Sequence, residues 1–299
     1  MEINKIVQEF EKKDLPLVDI GVACYGTQSP KWWVAVLADL LSGNGTFYYI
    51  NQVNIAASML KDNNKNQITE QKNRTHFTDV NRVAVTDGFM ASEAEWIFWI
   101  DDDTIIPRGA LAHLLSLKRQ FVSGLYFLPE EPFNPIAYLR NNDGTYSAFY
   151  DYPKGSLVQV DSIGFGCCLI HKDVFRKIQA EHRVLKRPNG SLMTIHKSRI
   201  KDNKPFTGKK HDGFISHGVY HLPLVELDPD DTRPFPFFQL EYARTEDHKF
   251  CEMANDVGFR PWLDTVLTCG HLKFYEYGVK DYHERGIAGL NKKAREGEE

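Results

Sequence analysis

The sequence predicts an α/β protein with a mostly parallel central sheet, helices on both faces and a mixed second half. Three observations carry that expectation. WIFWI (96–100) is five apolar residues without a polar break, the pattern of a central strand covered on both faces. Strand-like and helix-like segments alternate through the first half, which is how parallel sheets are built. The chain has 299 residues, 42% of them hydrophobic and 25% charged, enough to bury one large core or two small ones.

Taken in order, LPLVDIGVACYG (15–26) reads as a buried first strand ending in a turn. KWWVAVLADLLS (31–42) has helical apolar spacing, with Gly43 at the stop. TFYYINQV (46–53), rich in aromatic and β-branched residues, is a second strand, and KDNNKNQITEQKN (61–73) is a polar loop. A helix is expected from Asp79 to about Ala94. WIFWI then stops abruptly at Asp101-Asp102-Asp103. Pro107 suits the first turn of a helix continued by ALAHLLSLKRQ, and FVSGLYF (121–127) is another strand. In the second half, PIAYLR, TYSAFY and SLVQVDS are short strands between turns, and GFGCCLIHKDVFRKI passes from strand to helix. Residues 183–218 read as a polar loop. TEDHKFCEMANDVGF (245–259) is a helix opening at Thr245 and closing near Gly258, and PWLDTVLTCGHLKFY supplies one or two last strands. RGIAGLNKKAREGEE (285–299) reads as a mobile tail. A single domain over 1–284 is expected, with a first half at about 16–128 and a second at about 129–284.

Net charge is -4 and the isoelectric point about 6.3, which argues against a general nucleic-acid or anionic-membrane binder. The opening MEINKIVQEFEKKD is charged and amphipathic, unlike a leader, and no apolar run approaches the roughly 18 residues that span a bilayer. A cytoplasmic protein is expected. The five cysteines form no CxxC pair and lie in apolar or mixed stretches, so reduced core thiols are expected.

The chemistry concentrates at Asp101-Asp102-Asp103. Positions i and i+2 of an extended chain point the same way, so Asp101 and Asp103 can face one cleft. Ligands of parallel sheets sit beyond the carboxyl ends of the strands, where this cluster lies. Adjacent carboxylates repel one another unless a cation or strong donors compensate. A hard divalent cation is the natural partner, held by one or two carboxylates and by substrate phosphates, and it would neutralise a diphosphate leaving group. The bland alternative is that Asp103 or Thr104 caps the helix after Pro107, with the other acids in water. A DxD phosphatase of the haloacid dehalogenase type is disfavoured, because Ile105 stands where it needs Thr or Val and its motif opens the fold.

Together VDIGVACYG, Asn81-Arg82, WIFWIDDDTIIP, VSGLYF, VDSIGFGCCLIHKDVF, Glu246-Asp247 and LDTVLTCGH resemble, in order and spacing over roughly residues 16–275, the GT-A glycosyltransferases, especially family-two-like members. The resemblance implies a metal-dependent hexosyltransferase with a DxD motif, using Mn²⁺ or Mg²⁺ and a sugar nucleotide, a UDP- or GDP-sugar. It implies Asp101, Asp103 and His271 as metal ligands, with Asp103 the direct one. An imidazole ligand tilts preference toward manganese. Ala23, Tyr25, Arg82, Asp101 and Asp102 are the implied nucleotide-side residues. Glu246 and Asp247 are the implied catalytic pair, Asp247 serving as base if transfer inverts configuration. Thr245 with acids in the first turn is equally a good helix start. By the same resemblance Asp161, Gly164 and Gly166 line the sugar site. Glycine permits close approach but can equally serve a turn. Trp262 and Asp264 lie near the last strand, where Trp262 could face a sugar ring but is read first as core packing. Residues 183–210 carry nine Lys or Arg against Asp202, which makes them a phosphate lid, a contact for an anionic acceptor, or a solvated loop. Two other readings stay open. One is a nucleotidyltransferase, although ACYGTQSPKWW offers only Gly26 and Lys31 where that class has a Gly-rich basic loop. The other is a non-catalytic sugar-nucleotide-binding domain.

Overall fold

The structure is a computed structural model that describes residues 15–24, 36, 38–40, 43–57, 76–129, 131–186, 191–199, 225–226, 232–240 and 245–272. Tyr25, the loop 61–73 and the tail 285–299 lie outside the described residues. The strands are β1 (Leu17–Cys24), β2 (Tyr49–Ala57), β3 (Trp96–Asp101), β4 (Thr104–Ile105), β5 (Phe121–Leu125), β6 (Ala137–Arg140), β7 (Tyr146–Ala148), β8 (Leu157–Gln159), β9 (Ser162–Ile163), β10 (Cys167–His171), β11 (His182–Lys186), β12 (Leu192–His196), β13 (Val225–Glu226), β14 (Trp262–Thr268) and β15 (Gly270–His271). The helices with fully described bounds are α1 (His76–Ala91), α2 (Ala110–Ser116), α3 (Lys172–Glu181) and α4 (Glu246–Asp256).

The main sheet has seven strands in the order β2-β1-β3-β10-β5-β14-β8. β1 runs parallel to β2 and β3, and β14 parallel to β5. β10 is antiparallel to both β3 and β5, and β8 antiparallel to β14. Five strands therefore point one way and two are reversed, an α/β architecture with a mostly parallel sheet.

Burial explains the arrangement. In β3, Ile97 and Trp99 face one core cluster, with residues of α1, α3 and α4, while Phe98 and Ile100 face the other, with Ala110, Leu111 and Leu114 of α2. Every one of these four β3 side chains is 0% exposed, and burying each contributes about 1.5–3 kcal/mol. Gly21 makes room for Trp99 on the neighbouring strand: a Cβ there would stand 2.9 Å from Trp99 Cε3. The first core cluster is dense in aromatic rings. Phe238 stacks on Phe250 at 5.0 Å, and Trp99 meets Phe238 edge-on at 5.6 Å.

Several local expectations shift. The polar loop expected from residue 183 instead holds β11 and β12, paired antiparallel, then a 3-10 turn at Lys197–Arg199. Pro107 precedes α2 rather than opening it, since Gly109 is the N-cap with φ 84°. α4 follows the sequence closely, with Thr245 as N-cap and Gly258 at φ 91° beyond its end. Cys167, Cys168, Cys251 and Cys269 are free and buried. No helix among the described residues is long and apolar enough to cross a membrane.

Candidate functional site

The acidic cluster lies where β3 ends. Asp101 is the last residue of the strand, Asp102 and Asp103 form a turn, and β4 follows at once. Ala23 pairs with Asp101 in the β1–β3 register, so the end of the first strand stands beside the cluster. Asp102 is buried at 8% exposure, whereas the Asp103 side chain is 41% exposed.

His271 reaches the cluster through main-chain pairing. β15 and β4 form a two-stranded ribbon with His271 opposite Thr104 and Gly270 opposite Ile105. The Leu272 N–H donates to the Asp103 carbonyl at 2.7 Å, closing the ribbon on the motif. His271 Nδ1 lies 2.7 Å from the Phe127 carbonyl oxygen, which can only accept, so this nitrogen carries the proton. Nε2 is thereby turned to Asp103, whose Oδ2 is 3.1 Å away. Burial pulls the imidazole pKa down, but the bond to Asp103 and the Phe127 carbonyl outweigh it and carry the pKa above its ordinary value. A carbonyl that takes the far-side proton and so fixes ring and tautomer is the usual support of a metal-binding histidine.

Inward of the cluster lies a second charged group. Arg82 projects from α1 and is 2% exposed. Its Nη2 donates to Asp101 Oδ1 at 2.8 Å, and its Nε lies 3.4 Å from Glu246 Oε1 and 3.5 Å from Asp247 Oδ1. The guanidinium carbon sits 5.1–5.8 Å from the ring centres of Trp99, Phe165 and Phe238. One cation thus joins the first acid of the motif to the acid pair that opens α4. All three carboxyls have raised pKa values. Burial is the leading cause in each, and Arg82 opposes it. Asp101 also feels Asp103, which raises it, and His271, which lowers it, so the outward and inward groups lie within electrostatic reach.

Other residues singled out from the sequence serve the surroundings. Gly164 and Gly166 pack against Tyr126: a Cβ on Gly164 would stand 2.0 Å from Tyr126 Oη, and one on Gly166 2.4 Å from Thr104 Oγ1. The Gly166 N–H donates to Tyr126 Oη at 3.0 Å. Asp161 turns outward to Arg260 at 3.0 Å. Asp264 is buried and holds His113 at 2.5 Å, while Trp262 stacks under Arg119 at 4.2 Å. Neither Asp103 nor Thr104 caps α2. The Leu111 N–H donates instead to Asp39 Oδ2 at 3.3 Å, which leaves the Asp103 carboxylate to face His271. Sequence reasoning missed Asp39, Tyr126, the Phe127 carbonyl and the rings around His248. None carries a local pattern, and only the tertiary contacts reveal them.

As a class, this is an α/β protein with an acid–imidazole pair at the carboxyl ends of its parallel strands and a buried acid cluster behind. No group of three His, Cys, Asp or Glu among the described residues could by itself enclose a metal. The expected trio of Asp101, Asp103 and His271 is thus not gathered as a metal-holding group; of the three, Asp103 and His271 are paired, at 3.1 Å. No family model matches the chain, and no curated protein matches it in sequence. Among solved structures it is similar to A197 from STIV, with a TM-score of 0.43 and 11% identity over 87% of each chain. It is also similar to GalNAc-T7, solved with UDP, GalNAc and Mn²⁺, with a TM-score of 0.44 and 10% identity over 88% of this chain. The chain spans 45% of the GalNAc-T7 chain. These are distant likenesses of shape, and the chemistry rests on the residues themselves.

Proposed function

We propose that the chain is a metal-dependent glycosyltransferase of the GT-A type, moving a sugar from a nucleotide-diphosphate donor to an acceptor hydroxyl, with 1–284 as its catalytic domain. The observation that supports this reading best is the pairing of Asp103 with His271 at 3.1 Å, with the imidazole proton directed to the Phe127 carbonyl. A neutral His271 would offer its Nε2 lone pair, and Asp103 a carboxylate oxygen, to Mn²⁺ or Mg²⁺. The ion, when bound, supplies charge neutralisation for the departing diphosphate. The nucleotide would lie over the end of β1, near Ala23 and Tyr25, with Asp101 and Asp102 on its side.

Asp247 is the candidate base. Its pKa stands well above the ordinary value, chiefly through burial, and this suits a group that must accept a proton near neutral pH. Arg82 holds Asp247, Glu246 and Asp101 at set positions. In an inverting transfer Asp247 would take the acceptor proton; the anomeric configuration of the product decides whether it does.

The test is a screen of UDP- and GDP-sugars with Mn²⁺, reading released nucleoside diphosphate, since slow hydrolysis reports donor use without an acceptor. Wild type is expected to release nucleoside diphosphate, and Asp103→Asn to lose the metal-dependent release while keeping its circular dichroism spectrum. Binding without turnover would mark a sugar-nucleotide-binding domain instead. Neither binding nor turnover of any donor would end the enzymatic reading.

A further inference from the structure

We propose that the acceptor is a neutral saccharide, received on a shelf formed by Tyr138, Tyr146, Tyr150 and His248 beside Asp247. The proposal rests on the glycosyltransferase reading for its role and adds to it the rings beside Asp247.

The shelf follows from strand register. β6 and β7 pair with Tyr138 opposite Ala148 and Arg140 opposite Tyr146. Side chains alternate along a strand, so Tyr138, Arg140 and Tyr146 share one face of this hairpin. That face meets the first turn of α4. The His248 ring, next in sequence to Asp247, lies 4.6 Å from the ring of Tyr138 and 4.7 Å from that of Tyr146. Arg140 reaches Glu252 one turn further along, at 3.7 Å. The Tyr138 phenol is raised by burial first, and then by the charge of Asp247 and by Tyr150. Tyr150 itself is 61% exposed, and Tyr138 and Tyr146 are half-buried. The group therefore runs from solvent to the candidate base.

Charge argues against an anionic acceptor, one of the three readings left open for the basic stretch 183–210, of which 187–190 and 200–210 lie outside the described residues. Among the described residues, the cations beside α4 are committed to carboxylates. Arg82 stands among three acids, Lys249 and Arg140 reach Glu252, and Arg199 bonds Asp256 at 3.1 Å. Lys197, in the described part of that stretch, donates to the Ala180 carbonyl. A phosphate or sulfate entering beside Asp247 would meet three carboxylates around one guanidinium, and like charge at an interface is a strong filter. A neutral polyol meets no such barrier. Phenol and imidazole rings combine apolar faces with polar edges, and a pyranose does the same with its C–H faces and hydroxyl rim.

The experiment is an array of neutral glycans beside sulfated, sialylated and phosphorylated ones, read by binding to the full chain and followed by saturation-transfer NMR on the hits. Neutral glycans are expected to bind. Tyr146→Ala is expected to weaken binding roughly tenfold, with Tyr146→Phe near wild type because the ring face remains. Binding confined to anionic glycans, binding to none, or equal binding by Tyr146→Ala would overturn the proposal. Because this readout needs no turnover, its outcome is independent of the donor screen: glycan binding without donor use would sink the enzymatic reading and leave the shelf standing.

Discussion

Arg82→Met isolates the electrostatics of the inward group. Methionine is unbranched and apolar, and it can occupy the space among Trp99, Phe165 and Phe238 without a charge. Removing one partner of a buried ion pair costs about 3–5 kcal/mol, because the remaining charges lose their compensation. Here three carboxylates lose one guanidinium whose side chain is 2% exposed. The loss depends on pH, and its sign follows from linkage. Asp101, Glu246 and Asp247 already have pKa values above those of the unfolded chain, with burial the leading cause and Arg82 the main restraint. In the folded variant they would rise further. Between the unfolded value, about 4, and the raised folded values, the native state holds more protons than the unfolded state. Stability therefore falls as pH rises through that window. The variant is expected to lose less relative to wild type at pH 5 than at pH 8, where the drop in melting temperature is on the order of 10 °C. Thermal unfolding of both proteins at the two pH values measures this. An equal loss at both, or no loss at pH 8, would refute the placement of Arg82 as the shared counter-charge.

Gly164→Ala should be destabilising by about 1–3 kcal/mol, because its Cβ would meet Tyr126 Oη at 2.0 Å and Ile136 Cγ2 at 2.6 Å. In urea titrations, combining it with Tyr126→Phe should cost less than the sum of the two single changes, since the clashing oxygen is gone; strict additivity would show that Tyr126 does not dictate the glycine. Thr245→Ala should lose about 1 kcal/mol through the cap that accepts the His248 N–H at 3.5 Å. A change of Thr245→Ser, which keeps the hydroxyl, should retain most of it in the same titration.

The parts of the fold that could be read in the sequence are those fixed by local pattern. WIFWI had to be a doubly covered strand because five apolar residues leave neither face for water, and all four of its inner residues are fully buried. Thr245 and Gly258 bracket α4 because capping and left-handed geometry are properties of single residues and their neighbours. The reversed strand β10 between β3 and β5 carries no such mark. A strand buried on both faces reads the same in either direction, so CCLIH could not announce its orientation. Strands as short as β4 and β15, two residues each, fall below any periodicity. The alternatives for Asp103 were separated by a contact across the sequence: Asp39, 72 residues before Leu111, satisfies the start of α2. Arg82 was legible as a residue of interest but not as an inward one, since a charged residue in a helix is ordinarily on its wet face.

The two charged groups at the end of β3 also explain how Asp101 and Asp103 can stand so close together there. Asp101 is fixed by the pairing of its strand with β1 and by the guanidinium behind it, so its charge is answered from inside the protein. Asp103 is one turn further on and more exposed, and its answer comes from His271, which is carried in by a separate ribbon. The inward answer is a permanent cation that does not titrate. The outward one is an imidazole that can give up its proton and present a lone pair instead. On the proposed reading, an entering cation would displace a proton at His271, and the Arg82 group would feel it through Asp101, which both Asp103 and His271 reach electrostatically. A fixed charge in the core thus holds Asp101 and the acid pair of α4, while a titrating one at the rim answers Asp103.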